Sequence, residues 1–356
     1  MIFLLFFRCE NFNFLSKAFY FQNCYFFSEW SNRRITGFGN MRRLTDCDKR
    51  NLKYQIYYHR YDDPWISNKR VAKLTAHSIS TVNRYAHEAE AELVFTAPRA
   101  HLKPHPKIKS ALLLFEDKYK AFNTLKTHPH VGYLCIFHGS WDIMVSYNGD
   151  IDFNEISGYR GEVTRGYRGL IHTPRIPFVT WEHALKKINA LLSQAEYERE
   201  PFFIYSLRIP EWDEEEWQMF YYFTHDLRKS FNELRKITPI SWRKYEAWKK
   251  SLFDHCIHFQ AYYPDGYDAY NIKTFCFQTD YEKFIVDLFS YLPATPVFSN
   301  VGNHILLDIS VPNDHQQQAK IFELISQLIE KDIISQCIDG YTVIEWSRKD
   351  QLNLHE

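Results

Sequence analysis

The sequence has no CxxC pair among its seven cysteines, no P-loop, no GxGxxG and no GxSxG, and its 43 Lys and Arg are matched by 43 Asp and Glu. Scattered, odd-numbered cysteines without close spacing exclude a disulfide framework and a zinc module and fit a reducing compartment, so a cytoplasmic protein is expected. With no net charge, a surface for a polyanion has to come from uneven placement of charge. A membrane span is missing too. Residues 1–40 hold ten of the 29 phenylalanines, but the apolar run Ile2 to Phe7 is six residues long, against the roughly 20 a spanning helix needs. Arg8, Glu10 and Asn11 interrupt any signal-peptide pattern. Ordinary patterning begins after Met41, and the expectation is that the native chain starts there, with residues 1–40 absent from it or disordered. What is present is the composition of a folded chain, 45% apolar, 24% charged and 17% aromatic over 356 residues, enough for two or more domains.

The first pattern is helical. Thr45-x-x-Asp48 forms a capping box ahead of a helix from Asp48 to Tyr58 that carries Leu52 and Ile56 four apart. Ser67 caps a second helix, with Ile66 and Val71 placed as a hydrophobic staple and Val71 and Leu74 expected to face inward. After a turn at Thr75-Ala76-His77, Ser78 caps a third helix whose stripe is Val82, Ala86, Ala89 and Leu93. Thr81, Asn83, Arg84 and His87 lie on its other side. Two short helices joined this way have the geometry of a helix-turn-helix that sets a recognition helix in the major groove. Between Met41 and Ser110 there are fourteen Lys and Arg against seven acids, so this third of the chain is strongly basic. Lys69, Arg70 and Lys73 are candidates for phosphate contacts, and Ser80, Thr81, Asn83 and Arg84 for contacts at base edges of double-stranded DNA. The competing reading is a three-helix scaffold whose charges form a solvated face.

Beyond a linker from Pro98 to Pro106, Ile108 to Phe115 reads as a buried strand. Lys118 to Thr127 reads as a helix presenting Tyr119, Phe122 and Leu125, and Val131 to Phe137 and Asp142 to Tyr147 as two more strands. This β-α-β-β order is the front of a ferredoxin-like fold, an antiparallel sheet with one face under helices and the other free to pair.

From Leu44 to Tyr147 the chain resembles the Lrp/AsnC (feast/famine) transcription regulators, archaeal type, through "LTDCDKRNL", "ISNKRVAKLTAHSISTVNRY", "LKTHPHV" and "GSWDIMV". The resemblance implies a Gly-x-x-Asp signature at Gly139 and Asp142, beside an effector cleft between paired sheets, with His138 and Trp141 as neighbours of a small, amino-acid-like effector. Two departures stand out. The family's usual Gly-hydrophobic pair in the turn is Ala76-His77 here, and the Gly/Arg-rich stretch Gly158 to Arg175 replaces the expected second helix and fourth strand.

A shift of about 163 residues brings a second copy into register. It predicts strands at Ile272–Phe277, Pro296–Asn300, His304–Val311 and Cys337–Trp346, and helices at Tyr281–Tyr291 and Gln316–Lys331. A helix Thr180–Leu192 and a strand Phe202–Leu207 join the copies. From Arg208 to His255 nine basic residues balance nine acids, and the recognition-helix equivalent, Ser241 to Phe253, carries Trp242, Tyr245 and Trp248, a spacing expected of core aromatics. Gly302-Asn303-His304-Ile305 has no acid where Asp142 stands.

The expected organisation is α+β: an extension over 1–40, a winged helix-turn-helix over 41–97, a ferredoxin-like βαββαβ regulatory domain with linker helix over 107–207, a degenerate helix-turn-helix over 208–255 and a second regulatory domain over 256–350. The chain is expected to act as a sequence-specific DNA-binding regulator that self-associates through its regulatory sheets. No metal or cofactor is expected: of the clusters His101/His105, His128/His130 and His138, flanking prolines put the first two in loops, and no carboxylate or cysteine sits at ligand spacing nearby. No reaction is implied. Two alternatives remain open: a siroheme-decarboxylase-like enzyme on the same fold, with Arg160, Arg165, Arg168 and Arg175 as anion-binding candidates, and a ligand sensor that meets protein partners.

Overall fold

Thr45 and Asp48 satisfy each other's backbone amides, Asp48 N donating to Thr45 Oγ1 at 3.2 Å and Thr45 N to Asp48 Oδ2 at 3.0 Å. This box starts α1 (Asp46–Asp62). The computed structural model describes residues 44–194 and 196–348, so the expectation for residues 1–40 lies outside the described residues. Ser67 Oγ accepts from Arg70 N at 3.2 Å to begin α2 (Asn68–Leu74), and Ser78 Oγ accepts from Thr81 N at 3.1 Å to begin α3 (Ile79–Ala91). Leu52, Ile56, Val71, Val82, Ala86 and Ala89 close over one core with Phe95 and Tyr262.

Two inward assignments differ from expectation. Leu74 is the last residue of a seven-residue helix and is 54% exposed. Leu93 lies past the end of α3 at φ 51°, and Val94 takes the core place instead.

The segment read as a linker contains β1 (Arg99–Leu102), which pairs antiparallel with β6 (Cys256–Phe259) from Arg99↔Phe259 to Leu102↔Cys256. A wing inside each helical unit was expected. Each unit instead contributes one strand, so the pair forms between units and ties the two halves of the chain together. The second helical unit is α6 (Glu214–Phe223), α7 (Phe231–Ile237) and α8 (Trp242–His255). Its core of Trp217, Phe220, Phe223, Tyr245, Trp248 and Leu252 closes over Ala100, Leu102 and Ile108 from the first half.

The remaining strands are β2 (Ile108–Phe115), β3 (Val131–Gly139), β4 (Ile143–Asn148), β5 (Tyr159–His172), β7 (Tyr270–Gln278), β8 (Val297–Val301), β9 (His304–Pro312) and β10 (Ser335–Ser347). They form one closed barrel in the order β10-β3-β4-β2-β5-β8-β9-β7. Two separate sheets with free faces were expected. Four strands from each half do lie together, but β5 pairs with β8 and β10 with β3, and these two seams close the ring. Closure removes the strand edges that would otherwise be open to another chain.

β5 corrects the reading of Gly158 to Arg175: the Gly/Arg-rich stretch is a fourteen-residue strand. Arginine and glycine hid it, because exposed Arg160, Glu162, Arg165 and Tyr167 leave the strand without an apolar run. The strand expected at Phe202–Leu207 is absent, that stretch being coil.

Helices cover the barrel outside. α4 (Lys118–Thr127) buries Ala121, Phe122 and Leu125, with Tyr119 left exposed. α5 (Trp181–Leu192), α9 (Glu282–Phe289) and α10 (His315–Glu330) share a core with Phe275, Phe298, Leu307 and Ile309. Inside the ring, Leu112, Cys135, Phe137, Trp141, Met144, Cys276, Val297, Val301 and Leu306 form the interior cluster. Among the described residues no helix is long and apolar enough to cross a membrane.

Candidate nucleic-acid interface and barrel interior

α2 and α3 both present polar residues to solvent. Lys69, Arg70 and Lys73 are exposed on α2 and ion-paired with no described residue, whereas the other cations of this region are mostly engaged. Lys49 pairs with Asp46 at 2.7 Å, Arg50 with Asp265 at 3.3 Å and buried Arg60 with Glu90. The local basic excess therefore concentrates on α2. On α3, Ser80, Asn83 and Arg84 are exposed and Thr81 is half-buried. Thr81 and Ser80 hydroxyls lie 2.8 and 2.9 Å from Ser78 Oγ, Asn83 Oδ1 accepts from Asn68 Nδ2 at 2.8 Å, and the Arg84 guanidinium lies 4.7 Å from the Tyr85 ring centre. Intramolecular bonds thus preset Thr81 and Asn83, and Arg84 is held only by its ring and a 3.9 Å approach to Glu88.

The turn between the helices is tight. Ala76 takes the left-handed conformation at φ 55°, the place where a glycine would be free of strain. Leu74 and Ile79, on either side of it, are both exposed. Sequence reasoning assigned Leu74 to the core and passed over Ile79. The signal was there in the length of the second helix: a last-turn apolar residue beside a sharp turn has little to pack on.

The second unit is built differently at its surface. Tyr245 and Trp248 of α8 are core, as their spacing predicts, but Trp242 stands 58% exposed at the helix start. Lys244 is bound by Asp213 and, at 2.6 Å, by Glu215. Arg228 reaches back to the first unit, donating to the Ile66 carbonyl at 2.8 Å and the Pro64 carbonyl at 3.1 Å, and so fixes the loop ahead of α2.

The four effector candidates do come together, at the turn from β3 to β4. Asp142 Oδ2 accepts from Phe115 N at 2.8 Å and from Arg160 Nη2 at 3.2 Å, so this carboxylate ties β2, β4 and β5. Trp141 is wholly buried against Phe137, ring centres 5.0 Å apart, and Gly139 lies in the seam with Gly340. His138 meets Lys118 Nζ at 2.8 Å and the Tyr341 ring at 5.4 Å.

The four arginines of the departing stretch do not converge. Arg160 holds Asp142, Arg165 donates to Tyr147 Oη at 2.9 Å and to the Ile151 carbonyl at 2.6 Å, and Arg175 is engaged with Asp62 and Tyr58. Arg168 is the exception. It pairs in register with Val301 and shares the inward parity of Thr164, opposite Leu112, so its side chain enters the barrel. It is 1% exposed, makes one 3.4 Å contact to the Leu102 carbonyl and leaves Nε and Nη1 without an acceptor among the described residues. Burial alone pulls its pKa down to about 10. Near it on the same inward face, Ser110 and Ser146 hydroxyls bond each other at 2.8 Å.

The interior also holds two carboxyls that sequence reasoning missed. Thr274 Oγ1 donates to Asp308 Oδ1 at 2.6 Å, and Glu345 lies opposite inward-facing Cys135 with Oε2 unpartnered. Burial raises Asp308 to about 6, and burial plus the Asp308 charge raises Glu345 to about 7. For Asp308 the signal was an acid in the middle of the run Ile305 to Val311, and Glu345 had no such signal, since its strand also carries Gln336, Asp339 and Thr342. Burial likewise pushes His105, His172, His225 and His258 down to about 4, so these imidazoles are neutral. Among the described residues no group of three or more His, Cys, Asp or Glu is placed to hold a metal ion.

No family model matches the chain, and no curated protein matches it. Solved structures that resemble it include the siroheme decarboxylase NirDL, with 10% identity and a TM-score of 0.45, and the same enzyme in co-complex with an iron-uroporphyrin III analogue, with 9% identity and a TM-score of 0.44. Each likeness covers 84% of this chain and 92% of the other. A likeness of this size assigns no activity to the chain. Against the expectation that no reaction is implied, both of these solved structures are of an enzyme.

Proposed function

We propose that the chain is a tandem duplicate of the Lrp/AsnC type, a helix-turn-helix and ferredoxin-like pair repeated once, that regulates transcription by sequence-specific binding of duplex DNA through its first helical unit. The observation that carries this reading is the trio Lys69, Arg70 and Lys73, exposed and ion-paired with no described residue beside a capped helix with a polar outer face. Three free cations on one short helix repel one another and are stabilised by a polyanion. The duplication is supported by α2 and α7, each seven residues long and 163 residues apart, and by the serine that precedes each of them. In this reading a small effector acts at the His138, Gly139, Trp141 and Asp142 corner, where β2, β4, β5 and the β3–β10 seam are tied together. The test is the salt dependence of duplex binding. Replacing Lys69, Arg70 and Lys73 together by Ala should flatten the slope of log K against log salt by about 3, and an unchanged slope removes these residues from the interface.

A second reading is favoured by Arg168 alone. A fully buried guanidinium with two nitrogens lacking an acceptor among the described residues suits an anionic ligand held inside the barrel, as a siroheme-decarboxylase-like enzyme would need for a substrate carboxylate. Iron-uroporphyrin III should then raise the melting temperature of the wild type and leave Arg168→Met unmoved. Equal shifts in both proteins, or none in either, count against it.

A further inference from the structure

Leu74 closes α2 and Ile79 opens α3, 54% and 46% exposed on either side of the turn. Helical periodicity continues the Ile79 row through Asn83 and His87, with Ser80 and Arg84 in the row beside it. All of these are exposed. On the other side of the turn, Arg70 lies one helical turn before Leu74, with Lys69 and Lys73 next to it. The apolar pad is therefore small, bounded by three free cations on one side and by hydrogen-bonding side chains on the other.

That layout matches one kind of surface. A protein or lipid partner rewards continuous apolar area, whereas the major groove offers phosphates at its rims, donors and acceptors on its floor and isolated apolar points, the thymine 5-methyl groups. We infer that Leu74 and Ile79 read thymine methyl groups in the major groove, making the first helical unit selective for thymine-bearing sites. This rests on the DNA-binding reading and extends it to the class of base recognised.

The second unit supplies an internal comparison. At the same spacing of 163, Ile237 and Trp242 are 77% and 58% exposed, so the two positions are open and apolar in both units. Of the three cations only one is repeated, Lys236 at the place of Lys73, and it is ion-paired. Asn232 and Glu233 stand where Lys69 and Arg70 stand, and Glu233 binds Lys236 at 2.7 Å. Thymine reading is assigned to the first unit only.

The experiment compares binding of the full chain, by fluorescence anisotropy, to one pool of genomic duplexes amplified with thymidine triphosphate and to the same pool amplified with deoxyuridine triphosphate. The two differ only by the 5-methyl group. Wild type should bind the uracil pool about fourfold more weakly for each thymine methyl that the protein covers. Ile79→Ala and Leu74→Ala, both at exposed positions, should lose part or all of that preference. Trp242→Ala should keep the full preference. Equal binding of both pools by wild type overturns the inference and leaves DNA binding standing, as does a full preference retained in both Ile79→Ala and Leu74→Ala. No binding of either pool overturns DNA recognition itself, and the inference with it.

Discussion

A β-carbon built on Gly139 would stand 2.5 Å from the Cα of Gly340 and 2.4 Å from the carbonyl oxygen of Asp339. These two glycines face each other in register across the β3–β10 seam. At the opposite seam a β-carbon on Gly166 would stand 2.8 Å from the Cα of Gly302. The barrel closes at two places where backbone meets backbone without a side chain between, and Gly139 and Gly302 are 163 residues apart. Two half-barrels with side chains at those points would stay apart, leaving the interior with Arg168, Asp308 and Glu345 open to water.

Gly139→Ala should therefore cost about 2–4 kcal/mol, combining a left-side backbone at φ 144° with a clash against backbone that cannot rotate away. Gly161→Ala is the control. It shares φ 143° but meets nothing within 4 Å, and should cost roughly 1–2 kcal/mol. Urea melts of the two variants measure the difference, and equal losses would mean that the close approach at the seam adds nothing to strain.

Glu345 should make stability depend on pH in a defined direction. Its carboxyl is raised to about 7 in the fold, while an unfolded chain ionises glutamate at about 4.3. As pH rises the unfolded state loses its proton first, so the stability available with a protonated Glu345 is fully present below about pH 4 and is lost by about pH 7. The groups facing it are Asp308 on β9, Tyr133 and Cys135 on β3, and Tyr263 and Tyr267 between β6 and β7. Glu345→Gln should match wild type at pH 4 and exceed it increasingly up to pH 7, with a constant gap above. The neutral histidines act in both proteins and cancel in the comparison. A gap that is flat from pH 4 to 8 would show that Glu345 keeps an ordinary pKa.

Arg84 and Lys73 should separate by kind of effect. Arg84, held loosely over Tyr85, should lose about 1–3 kcal/mol of DNA affinity and base preference together when changed to Ala, whereas Lys73→Ala should weaken all sequences alike and lower the salt slope by about 1. Equal losses on every sequence from Arg84→Ala would make it a phosphate contact.

Much of this was legible from the sequence. Caps at Thr45, Ser67 and Ser78 placed the first three helices, because capping is local chemistry three residues long. Ile108–Phe115 and Lys118–Thr127 match the expected strand and helix end to end, since a fully buried strand and a helix bounded by Asp117 and His128 carry strong signals. What failed was non-local. β1 finds its partner in β6, so nothing near Arg99–Leu102 announces a strand. β5 alternates with Arg and Gly, and its pairing with β8 is what makes it a strand. The same limit governed the site: Lys69, Arg70 and Lys73 are local and were seen, while Asp308 and Glu345 come together only through the pairing of β9, β7 and β10.

The most direct measurement is selection of genomic fragments by the full chain, followed by sequencing of what is retained, with Arg84→Ala run in parallel at two salt concentrations. A regulator of this kind should enrich a small set of fragments sharing a motif, at both salts, with the motif blurred in Arg84→Ala. Retention of fragments without any common motif, or none at low salt, would contradict sequence-specific DNA binding and leave the barrel interior around Arg168 as the site to pursue.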